Sequence, residues 1–311
     1  MKKLAWFGSL SLVLIAIFIV WQAWPRRMPH SPKTPEAIPA PQPKPTAIPA
    51  VDERAARLIP GLEGVDPGYS PCLTPDLRTI VYAAMPDVVT YYDLYIATRE
   101  DVTRPFGTPQ LIRGCQSRQT DAYPALSPDG LELIFARGDR APQFFWSARE
   151  TLVGEFGPAV LWPVPDYDPE RQRIDWPQFI DRTHVTFCFT ELKGYARSML
   201  VAERSDPKSA FGPPRKMPKS MIAWPPGFLA AGGLRAYYGT AKGVFLAERG
   251  STSEPFGEFV SRLDASVTGP LDGPLWVAPQ EDVIFYCSTG PGKSPQLGDR
   301  NKGRKLWMIR L

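Results

Sequence analysis

The sequence predicts an all-β fold built from five repeats of about 50 residues, because three short strings recur along it in the same order. The first string places a proline before a strand–turn–strand pattern, the second ends a strand in arginine, and the third contains Phe-Gly. The prolines are Pro71, Pro124, Pro177, Pro225 and Pro274; the arginines are Arg99, Arg149, Arg204 and Arg249; the Phe-Gly pairs begin at Phe106, Phe156, Phe211 and Phe256. Four short strands per repeat at this period are typical of propeller blades.

The best-defined repeat contains the turn Ser127-Pro128-Asp129-Gly130 between two strand-like runs. Proline presets φ at the first central position, aspartate can bind nearby backbone, and glycine accepts a positive φ. Leu131, Leu133 and Phe135 then alternate with polar or smaller residues as a half-buried strand does. The stretch therefore predicts a β-hairpin.

The two ends of the repeat region predict how the ring closes. The last repeat ends at Leu311 after its third strand, and the segment ERAARLIPGLEG stands before the first repeat. We expect that segment to supply the missing fourth strand, since closure leaves no open sheet edge. Residues 51–311 are therefore predicted to form a five-bladed β-propeller with four-stranded blades.

Two repeats, YSPCLTPDLRTIVYAA and YPALSPDGLELIFARGD, resemble the WD40-like PD40 repeat of TolB-like propellers. The resemblance implies a propeller that is usually non-catalytic and that binds proteins or other ligands. The third and fourth repeats lack the Ser-Pro-Asp-Gly turn, and nothing in the sequence resembles the N-terminal domain of TolB.

The region before the repeats predicts a membrane anchor and a spacer. The run from Leu4 to Trp24 contains no charged residue and is long enough to form a membrane-spanning helix. Residues 1–24 are therefore predicted to be an uncleaved transmembrane signal anchor. Residues 25–50 contain a proline every two to four positions and predict an extended polyproline stalk. Lys2 and Lys3 before the apolar run favour a cytoplasmic N-terminus, whereas Arg26 and Arg27 after it favour the opposite orientation. We expect the body to be extracytoplasmic, in the periplasm.

Composition argues against several partners and cofactors. The net charge is +4 without a basic cluster interleaved with aromatics, so no nucleic-acid partner is expected. Four cysteines without a Cys-x-x-Cys pair, and two histidines, predict no metal site, and no cofactor motif is present. Cys188 and Cys287 lie in apolar strands as buried thiols, whereas pairing of Cys72 with Cys115 is left open.

Carboxylates and aromatics precede the prolines that open the repeats, where inner strands begin near the tunnel mouth. The candidate ligand-binding residues are Asp66, Asp121, Tyr123, Asp175, Trp176, Trp224 and Asp272. Such residues around one end of a propeller could hold a sugar, a peptide or a cation. An aspartate near a strand start can instead cap loop backbone.

The sequence therefore predicts a membrane-anchored, extracytoplasmic propeller that binds a protein or saccharide at its mouth or rim without catalysis. The alternative is a five-bladed glycoside hydrolase that uses inner-strand aspartates, although the third repeat lacks the glutamate acid of that pattern. A scaffold whose rim contacts a partner is the third possibility. The strand-end arginines are expected to face solvent or to pair locally.

Overall fold

The computed structural model of the chain describes residues 55–69, 71–85, 91–217, 227–271, 275–291 and 303–311. The predicted anchor and stalk lie outside these ranges, as do the candidate residues Trp224 and Asp272. Within the described ranges, none of the helices has the length and apolarity needed to cross a membrane.

The described chain forms five antiparallel sheets of four strands each, in agreement with the predicted blades. Blade 1 contains β2 (Cys72–Leu73), β3 (Thr79–Ala84), β4 (Asp93–Thr98) and β5 (Gln110–Leu111), and blade 2 contains β6 (Asp121–Leu126), β7 (Glu132–Arg137), β8 (Gln143–Ala148) and β9 (Val160–Leu161). Blade 3 contains β10 (Gln172–Phe179), β11 (His184–Glu191), β12 (Arg197–Glu203) and β13 (Arg215–Lys216), and blade 4 contains β14 (Phe228–Ala230), β15 (Arg235–Thr240), β16 (Gly243–Glu248) and β17 (Val260–Asp264). Blade 5 contains β18 (Trp276–Val277), β19 (Val283–Ser288), β20 (Lys305–Arg310) and, from the start of the body, β1 (Arg57–Leu58). A short helix α1 (Ala265–Thr268) follows β17, and 3-10 turns span Arg113–Cys115 and Ala231–Gly233.

The predicted ring closure is confirmed, because β1 pairs antiparallel with β20 at the outer edge of blade 5. Ile59 and Leu62, which follow β1, are fully buried in a core cluster that includes residues of both blade 1 and blade 5. Phe106 of blade 1 donates its backbone N–H to Pro60 O at 2.9 Å. The start of the body therefore joins blade 5 to blade 1.

The Ser127–Gly130 turn forms as predicted, and blade 1 repeats it. Gly130 has φ +70° and donates its N–H to Ser127 O at 2.8 Å, while the Ser127 hydroxyl donates to Asp129 Oδ1 at 2.6 Å. In blade 1 the Thr74 hydroxyl donates to Asp76 Oδ1 at 2.6 Å in the same way. Leu77 replaces the glycine there at φ +59°, although its buried side chain packs in the core.

The four strand-end arginines each bind the turn of their own blade. Their Nε groups donate to Leu77 O, Gly130 O, Arg182 O and Gly233 O at 2.8, 2.8, 2.7 and 2.7 Å. Their guanidinium carbons lie 4.4, 4.7, 4.5 and 4.4 Å from the ring centroids of Phe106, Phe156, Phe211 and Phe256. Local pairing is thus confirmed, and the solvent-facing expectation is wrong for the buried Arg99 and Arg149.

Replacing Arg149 by lysine is expected to destabilise the propeller by about 1–2 kcal/mol. Lysine keeps the charge but lacks both the Nε–H donor and the planar group that stacks on Phe156. Urea unfolding of the two proteins measures the difference. Arg140→Lys, at an exposed position, is the control and should change the stability by less than about 0.5 kcal/mol; equal stability of both variants would contradict the role assigned to Arg149.

The strand register corrects the sequence alignment of the last two repeats. Cys72, Ala125, Gln178, Phe228 and Trp276 are equivalent, because each pairs with the third residue of the next strand in its blade. The residues before them are Pro71, Pro124, Pro177, Gly227 and Leu275. Pro225 and Pro274 therefore lie two and one positions away from the repeat position assigned to them, because Pro-rich stretches offer several prolines to align.

Candidate functional site

The inner strands of all five blades surround one central cavity of about 80 Å³. Its wall includes the five equivalent residues Cys72, Ala125, Gln178, Phe228 and Trp276. The Gln178 amide is already used, since it donates to Leu229 O at 2.6 Å and accepts from Leu229 N–H at 2.9 Å. Sites for organic ligands usually enclose roughly 300–1,000 Å³, so a ligand that needs a site of that size does not fit inside this cavity.

Blades 2 and 3 carry a β-bulge at the same point of the inner strand. The register shifts between Ala122 and Ala125 in β6 and between Asp175 and Gln178 in β10. Tyr123 and Trp176 occupy these bulges, each with φ +52°, and both line the cavity. The left-handed conformation costs about 1–3 kcal/mol for a residue other than glycine. Two neighbouring blades thus hold a bulky aromatic in the same unfavourable conformation.

The bulge aromatics belong to a row that crosses the first three blades. The ring centroids of Tyr69 and Tyr123 lie 4.4 Å apart, and those of Tyr123 and Trp176 lie 5.5 Å apart, both edge to face. Tyr69 also contacts Tyr92 at 5.1 Å. Tyr69, Tyr123 and Trp176, here called the mouth aromatics, are each partly exposed.

Asp121 forms a buried ion pair with Arg137 and does not line the cavity. Its carboxylate accepts from Arg137 Nε at 2.6 Å and from the Ser117 hydroxyl at 3.1 Å, and the residue is fully buried. Burial raises the pKa of Asp121 to about 6, although the Arg137 hydrogen bond and charge act in the opposite direction.

Asp175 is likewise buried and paired, directly before Trp176. Its Oδ2 accepts from Arg173 Nε at 2.9 Å, whereas Oδ1 has no hydrogen-bond partner among the described residues. Burial raises the pKa of Asp175, and the charge of Arg173 opposes that shift. Arg173 also donates to Asp139 O at 3.1 Å, which ties β10 to the β7–β8 loop.

The two carboxylates do not occupy equivalent positions. Asp121 pairs in register with Arg137, but Asp175 pairs with Cys188, which corresponds to Ala136 of blade 2. Asp121 therefore lies one residue before the position of its strand that is equivalent to Asp175. Because neighbouring residues of a strand point to opposite faces of the sheet, the two carboxylates point to opposite faces of their blades. Asp66 is exposed in the segment before β2. The structure thus brings Tyr123 and Trp176 together at the cavity. In contrast, Asp121 and Asp175 form ion pairs and Asp66 is exposed.

Sequence reasoning missed Tyr69 and Arg173. Tyr69 could have been found, because it stands two residues before Pro71 where Tyr123 and Trp176 stand one residue before their prolines. Arg173 gave no comparable signal: Asp175 lies two residues away in the same strand, but Asp139, its other partner, meets it only through the fold.

All four cysteines are buried and none forms a disulfide, so Cys72 and Cys115 are not bonded to each other. Burial raises the pKa of the Cys72 and Cys115 thiols to about 12 in each case. Over the described ranges no group of three or more His, Cys, Asp or Glu side chains is arranged to hold a metal ion.

No family model matches the sequence, and no curated protein matches it either. Solved structures do match its fold. A GH62 hydrolase in complex with xylotriose has a TM-score of 0.52 and 8% identity, over 83% of this chain and 97% of that one. The α-L-arabinofuranosidase of Podospora anserina in complex with cellotriose has a TM-score of 0.50 and 11% identity, over 86% of this chain and 94% of that one.

TolB from Acinetobacter baumannii matches with a TM-score of 0.40 and 16% identity, over 78% of this chain. The chain spans 54% of that TolB structure, about half of its length. At these identities the likeness concerns the fold alone, which is a propeller of the kind found in TolB-like proteins and in glycoside hydrolases.

Proposed function

We propose that the chain is a membrane-anchored, extracytoplasmic propeller that binds a protein or saccharide ligand at the mouth aromatics without catalysis. The anchor and the location rest on the uncharged run from Leu4 to Trp24 and on the proline-rich segment after it. The ligand would lie across Tyr69, Tyr123 and Trp176, because these rings form a continuous partly exposed row.

The observation that carries the proposal is the pair of left-handed aromatics at equivalent bulges. Glycine would satisfy φ +52° without strain, yet the chain has tyrosine and tryptophan there. Strained residues persist where the surrounding structure holds them and are concentrated at functional sites. The side chains of Tyr123 and Trp176 therefore make an interaction that glycine could not make and that offsets the cost of their backbone strain.

Glycoside hydrolysis is the second candidate, because two structures of matching fold are hydrolases bound to oligosaccharides. It requires two carboxyl groups that flank one bond, one of them a free general acid. The described residues lining the cavity include no carboxylate, and Asp121 and Asp175 are both ion-paired. These contacts favour binding over hydrolysis.

Binding and cleavage can be compared on the same probes. The full chain, purified in a mild detergent, would be incubated with xylan, arabinan and an array of immobilised peptides. We expect one probe class to be retained without any bond cleavage, and retention to fall at least tenfold in Trp176→Ala. Release of reducing sugar that Asp175→Asn abolishes would instead establish the hydrolase.

A second pair of variants tests whether strain is stored at the bulge. Trp176→Gly should be more stable than Trp176→Ala by about 1 kcal/mol, since only alanine remains strained at φ +52°. At Trp146, a tryptophan of β8 outside the left-handed set, the order should reverse, because glycine weakens an ordinary strand. The same order at both positions would show that the bulge stores no strain.

A further inference from the structure

Gln178 follows the β10 bulge and fastens that strand to blade 4. Its side-chain amide donates to Leu229 O at 2.6 Å and accepts from Leu229 N–H at 2.9 Å. Leu229 lies in β14, the inner edge strand of blade 4. The amide thus bonds both backbone groups of one residue, as the facing residue does in a hydrogen-bonded pair of antiparallel strands.

Asp175, the residue before the bulge, is fixed as well. It is 3% exposed, and its Oδ2 accepts from Arg173 Nε at 2.9 Å. Arg173 Nη1 donates in turn to Asp139 O of blade 2 at 3.1 Å. The bulge is therefore held from blade 2 at one end and from blade 4 at the other.

The bulge of blade 2 does not have the second fastening. Ala125 occupies the position equivalent to Gln178, and its methyl side chain cannot form a hydrogen bond. Tyr123 at that bulge contacts a mouth aromatic on each side, with centroids 4.4 Å from Tyr69 and 5.5 Å from Trp176. The carboxamide is therefore found beside Trp176, which ends the row and packs against one mouth aromatic instead of two.

We propose that Gln178 is a positioning residue for the mouth: by fixing the end of the β10 bulge to blade 4, its amide holds Trp176 in the left-handed conformation in which the ring contacts Tyr123. A residue other than glycine keeps this conformation only where its surroundings enforce it. Trp176 also precedes Pro177, and a proline pushes the residue before it towards extended conformations. This inference rests on the proposed function, because the ligand is taken to lie across these rings.

The role of Gln178 predicts a link between conformation and binding. Without the amide, relief of the backbone strain should lower the ratio of left-handed to relaxed Trp176 by about fivefold or more. A ligand that requires the left-handed conformer binds with an affinity that falls in proportion to the population of that conformer. Gln178 therefore determines what fraction of the protein is ready to bind.

The test follows Trp176 by fluorine NMR in the full chain, labelled with fluorotryptophan and purified in a mild detergent. Trp176→Phe identifies the Trp176 signal by its loss. In Gln178→Ala, which introduces the residue that blade 2 has at this position, the signal should move or split. Retention of whichever probe the wild type retains, xylan, arabinan or an immobilised peptide, should fall by about fivefold or more.

Gln178→Glu is the second variant and serves where Gln178→Ala does not fold. Its carboxylate keeps the acceptor for Leu229 N–H and lacks the donor for Leu229 O. We expect the Trp176 signal to move in the same direction as in Gln178→Ala.

Gln172→Ala is the matched control at the start of the same strand. Gln172 also makes two hydrogen bonds, accepting from Asp168 N–H at 2.9 Å and donating to Glu191 Oε1 at 3.3 Å. Neither bond touches the bulge, so this variant should leave both the Trp176 signal and probe retention unchanged.

Two results would overturn the positioning role, and neither depends on a ligand. One is a Gln178→Ala protein that loses stability while its Trp176 signal stays in place, because the amide would then only join two blades. The other is an equal shift in Gln172→Ala. A wild type that retains none of the probes would contradict the proposed function and leave the fluorine result standing.

Discussion

Replacing Glu132 by alanine is expected to destabilise the propeller by about 3–5 kcal/mol, the cost of leaving a buried charge without its partner. Glu132 of blade 2 accepts from Arg204 of blade 3 through both carboxylate oxygens, at 2.7 and 2.9 Å. Their side chains are 8% and 3% exposed, so little water reaches the pair. The indole N–H of Trp146 donates to the same carboxylate at 2.9 Å.

The ion pair crosses between blades, so its loss should weaken the ring and not only one sheet. Urea unfolding followed by tryptophan fluorescence measures the change. Glu203→Ala provides the control, because Glu203 pairs with Arg215 where both side chains are about half exposed. Such exposed pairs contribute roughly 0–1 kcal/mol. If both variants lost the same stability, the buried pair would have no special role.

Replacing Gly61 by alanine is expected to be the second severe change, with a loss of about 3 kcal/mol. Gly61 has φ +88°, and a Cβ there would lie 2.1 Å from Phe106 O and 2.8 Å from Phe106 N. Neither backbone atom can move without separating blade 5 from blade 1. The new methyl group should therefore open the closure that β1 and the residues after it provide.

Gly64 provides a matched control three residues further along the chain. No atom lies within 4 Å of a Cβ built at Gly64, and its φ is not in the left-handed region. Gly64→Ala should leave the stability within about 0.5 kcal/mol of the wild type. Thermal unfolding of the two variants would contradict the closure argument if Gly61→Ala melted at the wild-type temperature.

The fold could be predicted because its signals are local and repeated. The Ser127–Gly130 turn, the copy at Thr74–Leu77 and the strand alternation each arise within a few residues. Repetition then multiplied weak signals, so blade number and closure followed from spacing alone. The alignment lost register at Pro225 and Pro274, where several prolines satisfy the same pattern.

The candidate site could be predicted only in part. Tyr123 and Trp176 were found because an aromatic precedes a repeat proline, and that local pattern coincides with a bulge. The sequence did not reveal the roles of Asp121 and Asp175. Their charges are compensated by Arg137 and Arg173, and neither ion pair corresponds to a recognisable sequence motif. In the sequence, a carboxylate near the start of a strand looks the same whether its side chain binds a ligand or pairs with an arginine.

By itself the sequence determined the number of blades, the four strands in each and the closing role of the segment before the first blade. These follow from periodicity and turn chemistry, which act over short distances. Only the tertiary structure decided what lies between blades: the Glu132–Arg204 pair and the row of mouth aromatics. The physical reason is that charge compensation and ring packing depend on distances between residues far apart in the chain, and those distances exist only once the ring has closed.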